Sequence, residues 1–170
     1  MSGASLRGAH AIRLLVLDVD GVLTDGRLYF GPRGEALKAF DVRDGAGIVR
    51  LRSAGVEVAV ISGRRSPMVA ARCRELKVRY LYQGVADKLA AFTRLRTRLR
   101  VAPAACACVG DDVADVPLMR SGALSFAVAD AHPEARRAAH IVTRRGGGAG
   151  AVREVCDLLL AHNTRRGQQR

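Results

Sequence analysis

The sequence predicts an α/β protein, a doubly wound and mainly parallel sheet, on three observations. Near-continuous aliphatic runs of strand length recur along its 170 residues, as in strands buried on both faces. Segments with helix start and stop signals alternate with these runs, which implies crossover connections. Carboxylates, serine and glycine follow directly after several runs, where open parallel sheets bind ligands.

Ile12 to Val19 is the first strand. Arg27 to Phe30 and Glu35 to Phe40 read as a hairpin around Gly31-Pro32-Arg33-Gly34, an insertion covering about residues 26–42. Gly45 to Ala54 is a helix, with Asp44 as its N-cap and Gly55 as its stop. Val56 to Ile61 is the second sheet strand. Ser66 caps and Pro67 opens a helix to about Leu76. Tyr80 to Tyr82 is a short strand, and Asp87 caps a helix to about Arg100. Ala105 to Val109 is the next strand, followed by a helix from about Val113 to Ser121. Leu124 to Val128 is a further strand, Pro133 starts a short helix, and Ala139 to Val142 forms a last strand. Gly146 to Gly150 is a loop before a closing amphipathic helix, Ala151 to His162. One domain is expected over residues 12–162, with flexible ends at 1–11 and 163–170.

Hydrophobic residues make up 49% and aromatics only 4%, so the core rests on Val, Leu, Ile and Ala. No apolar run reaches the roughly 18 residues of a membrane span, and the start lacks a signal-type apolar stretch; a cytoplasmic protein with no membrane partner is expected. Cys73, Cys106, Cys108 and Cys156 show no zinc spacing and read as buried free thiols. The net charge of +12 raises nucleic acid as a partner. Scattered arginines without interleaved aromatics argue instead for a basic surface that attracts small anions.

The strand ends carry the chemistry. The first ends in Asp18-Val19-Asp20-Gly21, the second in Ser62-Gly63-Arg64, and the fourth in Gly110-Asp111-Asp112, with Asp115 one turn on. Lys88 opens the helix after the third strand. Gathered carboxylates repel, and a hard dication with oxygen ligands relieves that repulsion; without His or Cys, Mg2+ suits them better than zinc. Lys88 and the Ser62 hydroxyl can hold a phosphoryl group, Asp18 can attack phosphorus, and Asp20 can shuttle the proton. Singly, each residue has a plainer reading as a turn, cap or solvated side chain. Together, at one sheet edge, they read as a site.

LLVLDVDGVLTDG, ISGR, the lysine of GVADKLAAF and VGDDVADVPLM resemble the four motifs of the haloacid dehalogenase superfamily. KAFDVRDGAGI, LYQGVADK, VADAHPEA and GGGAGAVREVCDLLL extend the resemblance, over about Ile12 to Leu160, to the bacterial 3-deoxy-D-manno-octulosonate 8-phosphate phosphatases. The resemblance implies a Mg2+-dependent phosphomonoesterase of lipopolysaccharide precursor biosynthesis, acting through an aspartyl-phosphate. It implies Asp18 as nucleophile and metal ligand, and Asp20 as acid/base and ligand through its carbonyl. Asp111 is then the third protein ligand, and Ser62 and Lys88 hold the phosphoryl group. Asp112 and Asp115 stand behind them, Asp115 orienting Lys88 or metal-bound water. Gly63 and Arg64, with Arg72, are expected at the substrate, the arginines on its anionic end.

The stretch from Asp25 to Asp44 has room only for a hairpin, and Ser62 to Lys88 only for one helix and a short strand, so the subunit is expected to be capless. Exposed hairpin apolar groups and the resemblance together imply a homotetramer that closes the open site, with Gly146 to Gly150, Arg153 and Glu154 reaching an active site; a flexible connection is the plainer reading of that segment. Three other functions compete, one of them a nucleic-acid end phosphatase that rests on charge alone and lacks stacking aromatics. A phosphatase of a nine-carbon, sialate-type sugar acid 9-phosphate would share every catalytic motif, and Arg64 after Ser62-Gly63 favours the eight-carbon acid. A silent binding module on the same fold would be expected to lose Asp18 or Lys88, and both are present.

Overall fold

The computed structural model describes residues 10–168. Six strands form one parallel sheet, and two form a separate antiparallel hairpin. In chain order the elements are β1 (Leu14–Leu17), β2 (Tyr29–Gly31), β3 (Gly34–Leu37), α1 (Val42–Ser53), β4 (Glu57–Ser62), α2 (Pro67–Glu75) and β5 (Tyr80–Gln83). There follow α3 (Lys88–Arg98), β6 (Cys106–Gly110), α4 (Val116–Met119), β7 (Leu124–Ala127), α5 (Pro133–Ala138), β8 (Ile141–Val142) and α6 (Ala151–Gly167).

The sheet order is β5-β4-β1-β6-β7-β8, so the chain builds outward from β1 on one side and then crosses to the other. Leu14 pairs with Glu57 on β4 and with Cys106 on β6, which puts β1 at the centre. All four β1 residues are buried, as a strand covered on both faces requires. The direction of growth reverses between β1 and β6. The crevice at their carboxyl ends is the place where such sheets receive ligands.

Several boundaries differ from the sequence reading. Helix α1 starts three residues earlier than expected, and its N-cap is Asp41, which accepts from the Arg43 amide. Asp44 sits buried in the first turn instead, and its carboxylate accepts from the Gly150 and Arg153 amides at the start of α6. Local pattern could not show this, because the demand for a cap comes from a helix about a hundred residues away. Asp87 does cap α3, through the Ala90 amide. Ser66 stands at the N-cap position of α2 but makes no capping bond.

The segment expected as one helix from Val113 splits into a 3-10 turn, Val113–Asp115, and the short α4. Asp112 and Asp115 close a capping box at its start, which tightens the turn. Helix α6 continues past His162 to Gly167, and Asn163 exchanges two hydrogen bonds with the backbone of Ile12. The expected frayed end is therefore helical through Gly167; positions 1–9 and 169–170 of the expected flexible ends lie outside the described residues. All four cysteines are free and buried, and burial pushes the Cys73 and Cys106 thiols up to about 11. No helix among the described residues is long and apolar enough to cross a membrane.

Candidate active site

Asp18 leaves β1 with its amide bonded to Val109 O on β6. The chain then doubles back at once: the amides of Val22, Leu23 and Thr24 all bond to Val19 O. The Thr24 hydroxyl staples the turn, accepting from Gly21 and Gly26 and donating to Val19 O. Gly21 has φ of +89°, and a Cβ there would lie 2.0 Å from Asp111 Oδ2. Only glycine lets the Asp111 carboxylate press this close to the turn.

Lys88, at the start of α3, reaches into the crevice with 9% of its surface exposed. Its Nζ donates to Asp115 Oδ1 at 2.7 Å and lies 2.9 Å from Asp18 Oδ1. The other Asp115 oxygen accepts from the Asp111 and Asp112 amides at 3.1 and 3.3 Å. Asp115 is thus fully engaged and acts as a bracket between Lys88 and the β6 loop. Burial works against the Lys88 charge, but Asp18 and Asp115 outweigh it and hold the ammonium above its ordinary value.

Ligand oxygens of Asp18, Asp111 and Asp115 lie within 4.8 Å of one another. Burial, then the Asp115 charge, raises Asp18 to about 6 despite Lys88. Burial, then Asp18 and Asp115, raises Asp111 to about 8. Asp111 Oδ1 is buried and has no hydrogen-bond partner. An orphaned carboxylate oxygen beside a second crowded carboxylate fits a hard divalent cation, which would satisfy the one and relieve the other. Both Asp115 oxygens already accept bonds, which leaves Asp18 and Asp111 the better placed of the three to hold one.

Ser62 ends β4, next to β1, and its hydroxyl accepts from the Arg64 amide at 3.3 Å. Gly63 between them is exposed. Asp112 turns its carboxylate to the Val113 amide and so serves its local turn. Arg72 stands apart, on α2: it bonds Glu75 at 2.9 Å, lies 5.9 Å over the Phe40 ring, and has no ion pair with the carboxylates of the crevice. It lines an open groove of about 440 Å³ with Phe40, Val42, Met68, Ala71 and Glu75.

Asp20 brings in two residues the sequence reading gave no role. Its Oδ1 pairs with Lys38, which also bonds Glu35 at 2.9 Å. Arg64 approaches Asp20 Oδ2 at 3.6 Å and Glu35 at 3.3 Å. Burial lowers the Lys38 value, but the bonds to Asp20 and Glu35 outweigh it and hold it above the ordinary one. Membership of Lys38 in KAFDVRDGAGI was the only signal, and periodicity could not have paired a hairpin lysine with a carboxylate of the β1 loop.

The glycine-rich segment packs on the same loop of its own chain. Gly148 donates to Val22 O at 3.0 Å, and Gly147 donates to Asp130 at 2.9 Å. It is a brace rather than a loose connection.

Comparison with known proteins agrees with this geometry. Residues 80–150 match the haloacid dehalogenase-like hydrolase family. The chain is 55% identical to the 3-deoxy-D-manno-octulosonate 8-phosphate phosphatase of Escherichia coli K12 over 152 residues, 89% of this chain and 81% of the relative. A solved structure of that enzyme from Yersinia pestis is 51% identical, with a TM-score of 0.88 over 91% of this chain and 83% of that one. The Moraxella catarrhalis enzyme, solved with magnesium ion, phosphate ion and a KDO molecule, is 38% identical at TM-score 0.88, covering 91% and 88%. With sequence and fold alike over nearly the whole length, the chain belongs to the 3-deoxy-D-manno-octulosonate 8-phosphate phosphatases of the haloacid dehalogenase-like hydrolases.

Proposed function

We propose that this chain hydrolyses 3-deoxy-D-manno-octulosonate 8-phosphate to the free sugar acid and phosphate, a step of lipopolysaccharide precursor biosynthesis. The observation that carries the reading is the buried Asp18–Lys88–Asp115 arrangement beside the orphaned Asp111 oxygen. Asp18 attacks phosphorus, and an Asp18 oxygen–phosphorus bond forms as the ester bond to the sugar oxygen breaks. Asp20 donates a proton to that oxygen and then takes one from the water that cleaves the aspartyl-phosphate. Lys88 and Ser62 hold the phosphoryl oxygens, and Asp115 keeps Lys88 aimed at Asp18. Asp18, Asp111 and the Asp20 carbonyl would hold Mg2+, which supplies charge to offset the phosphoryl group.

Arg64, beside Ser62-Gly63, suits the carboxylate of the sugar acid. Arg72 lies in an open groove, so its part in binding would be exercised at a neighbouring subunit's site. A homotetramer belongs to the same proposal. Its support is the hairpin, where Phe30 is 68% exposed and Leu28 and Leu37 also face out, with Val42 exposed at the start of α1. Four free thiols suit a cytoplasmic location.

Phosphate release should be measured across eight- and nine-carbon sugar-acid phosphates and an aryl phosphate, with and without Mg2+. The eight-carbon substrate should give the highest kcat/KM, and only with metal. Preference for the nine-carbon substrate would overturn the specificity, and no turnover of any would favour a silent module. Light scattering should give about four times the 18.1 kDa chain mass.

A further inference from the structure

Asp20 and the three charges around it form a closed ring. Lys38 pairs with Asp20 Oδ1 and with Glu35; Arg64 faces Asp20 Oδ2 and the same Glu35. The two cations differ in burial. The Lys38 side chain is 1% exposed, whereas that of Arg64 is 43% exposed. Lys38 is therefore the fixed partner, and Arg64 the one that solvent and substrate can displace.

We propose that Lys38, braced by Glu35, is a positioning residue that assigns the two Asp20 oxygens different tasks. An ammonium is a donor with no acceptor. A hydroxyl oxygen accepts from it far more weakly than a carbonyl oxygen, so Oδ1 is held as the acceptor, and Oδ2, which Arg64 approaches only at 3.6 Å, is the oxygen through which Asp20 passes the proton. Oδ2 then delivers it to the leaving oxygen as the ester bond breaks, and Asp20 is left as a carboxylate still tied through Oδ1 to Lys38. Glu35 completes the device. It holds the lysine in line and keeps the second cation, Arg64, within reach of a substrate carboxylate. The hairpin thus contributes to the chemistry of the crevice as well as to the outer surface of the subunit.

The inference rests on the phosphatase reading and on Asp20 as its acid, and the experiment separates the two. Positioning of a proton donor matters when the leaving oxygen is basic and hardly at all when it is not. Single-turnover release of the leaving group should be followed, with Mg2+ present, for a sugar-acid alkyl phosphate and for 2,4-dinitrophenyl phosphate. Wild type should turn over both; turnover of neither would remove the phosphatase reading itself, whatever Lys38 does. Lys38→Met should slow the alkyl substrate by about 10²-fold, the size of a lost acid contribution. The dinitrophenyl rate should stay within about threefold of wild type, and KM for both should change little. Lys38→Arg, which keeps a cation for Oδ1, should recover part of the alkyl rate, and Glu35→Gln should fall between. These last two variants carry the test if Lys38→Met does not fold. Equal losses on both substrates would reduce Lys38 to a structural support, and an unchanged alkyl rate would refute the proposal outright.

Discussion

Replacing Lys88 by methionine isolates the charge at the centre of the site. The variant keeps an unbranched stem and deletes the ammonium that lies 2.9 Å from Asp18 and 2.7 Å from Asp115. Hydrogen bonds to charged groups contribute about 1.5–3 kcal/mol each, and breaking a buried charge pair from one side costs about 3–5 kcal/mol. We expect a loss of that size at pH 8 without metal, large against the roughly 5–15 kcal/mol of an ordinary domain. The pH dependence has a definite sign. The folded value of Lys88 is raised, so its own contribution is full below about pH 10.4 and fades only above that. Across pH 5 to 8 any variation must therefore come from the carboxylates. Without Lys88, Asp18 rises beyond its present value of about 6, and acidification then neutralises the stranded charge. The deficit should shrink toward pH 5. Adding Asp115→Asn removes one stranded charge, and the amide oxygen can still accept from the Asp111 and Asp112 amides, so stability should partly return. Urea unfolding in EDTA at both pH values, on the wild type, both single variants and the double variant, measures this. A deficit below about 1 kcal/mol, the same at both pH values, is the behaviour of an exposed surface pair and would refute the reasoning.

Other outcomes follow from the same geometry. Asp18→Asn should fold and lose turnover by about 10⁴-fold or more, since an amide is no nucleophile; substantial activity would sink the covalent route. Asp18 and Asp111 are raised from 3.8 to about 6 and about 8, so the folded chain binds more protons than the unfolded one between about pH 4 and 8, and metal-free stability from this pair falls as pH rises through that window. Mg2+ displaces those protons, so its increment in melting temperature over EDTA should be larger at pH 8 than at pH 5.5; equal increments would remove the pair as its site. Arg64→Ala should raise KM for a sugar-acid phosphate far more than for an aryl phosphate, and equal changes would argue against carboxylate recognition. In Gly147→Ala the new Cβ would stand 1.8 Å from Gly21 O and 2.8 Å from Thr24 O, so the β1 loop must shift, at a cost of about 1–3 kcal/mol and with lower turnover; Gly167→Ala, with nothing within 4 Å, is the neutral control. Truncation at Arg145 would remove α6 and with it the buried Val152, Val155 and Leu159, so it tests folding rather than recognition.

The sequence by itself determined the sheet and the crevice. Aliphatic runs such as Leu14 to Leu17 can only be satisfied by burial on both faces, and strand ends followed by aspartate and glycine read as a site once several share one sheet edge. The motif residues at those ends, Asp18, Asp111, Asp115 and Lys88, were therefore legible before any coordinates, and they meet as expected. Tertiary structure decided what depends on partners distant in the chain. Asp44 looked like the cap of its own helix and caps α6 instead, because a buried carboxylate goes to whichever amides packing leaves unpaired. Lys38 and Glu35 gained their role only when the hairpin folded back on the β1 loop, since an ion pair reports proximity in space and leaves no period in sequence. The glycine-rich segment, expected to reach an active site, braces the β1 loop of its own chain, because the backbone of residues 21 to 25 presses against Gly147 and Gly148. Local pattern fixes which elements form; the contacts between elements fix which side chains face one another, and that second layer is where the acid's surroundings were decided.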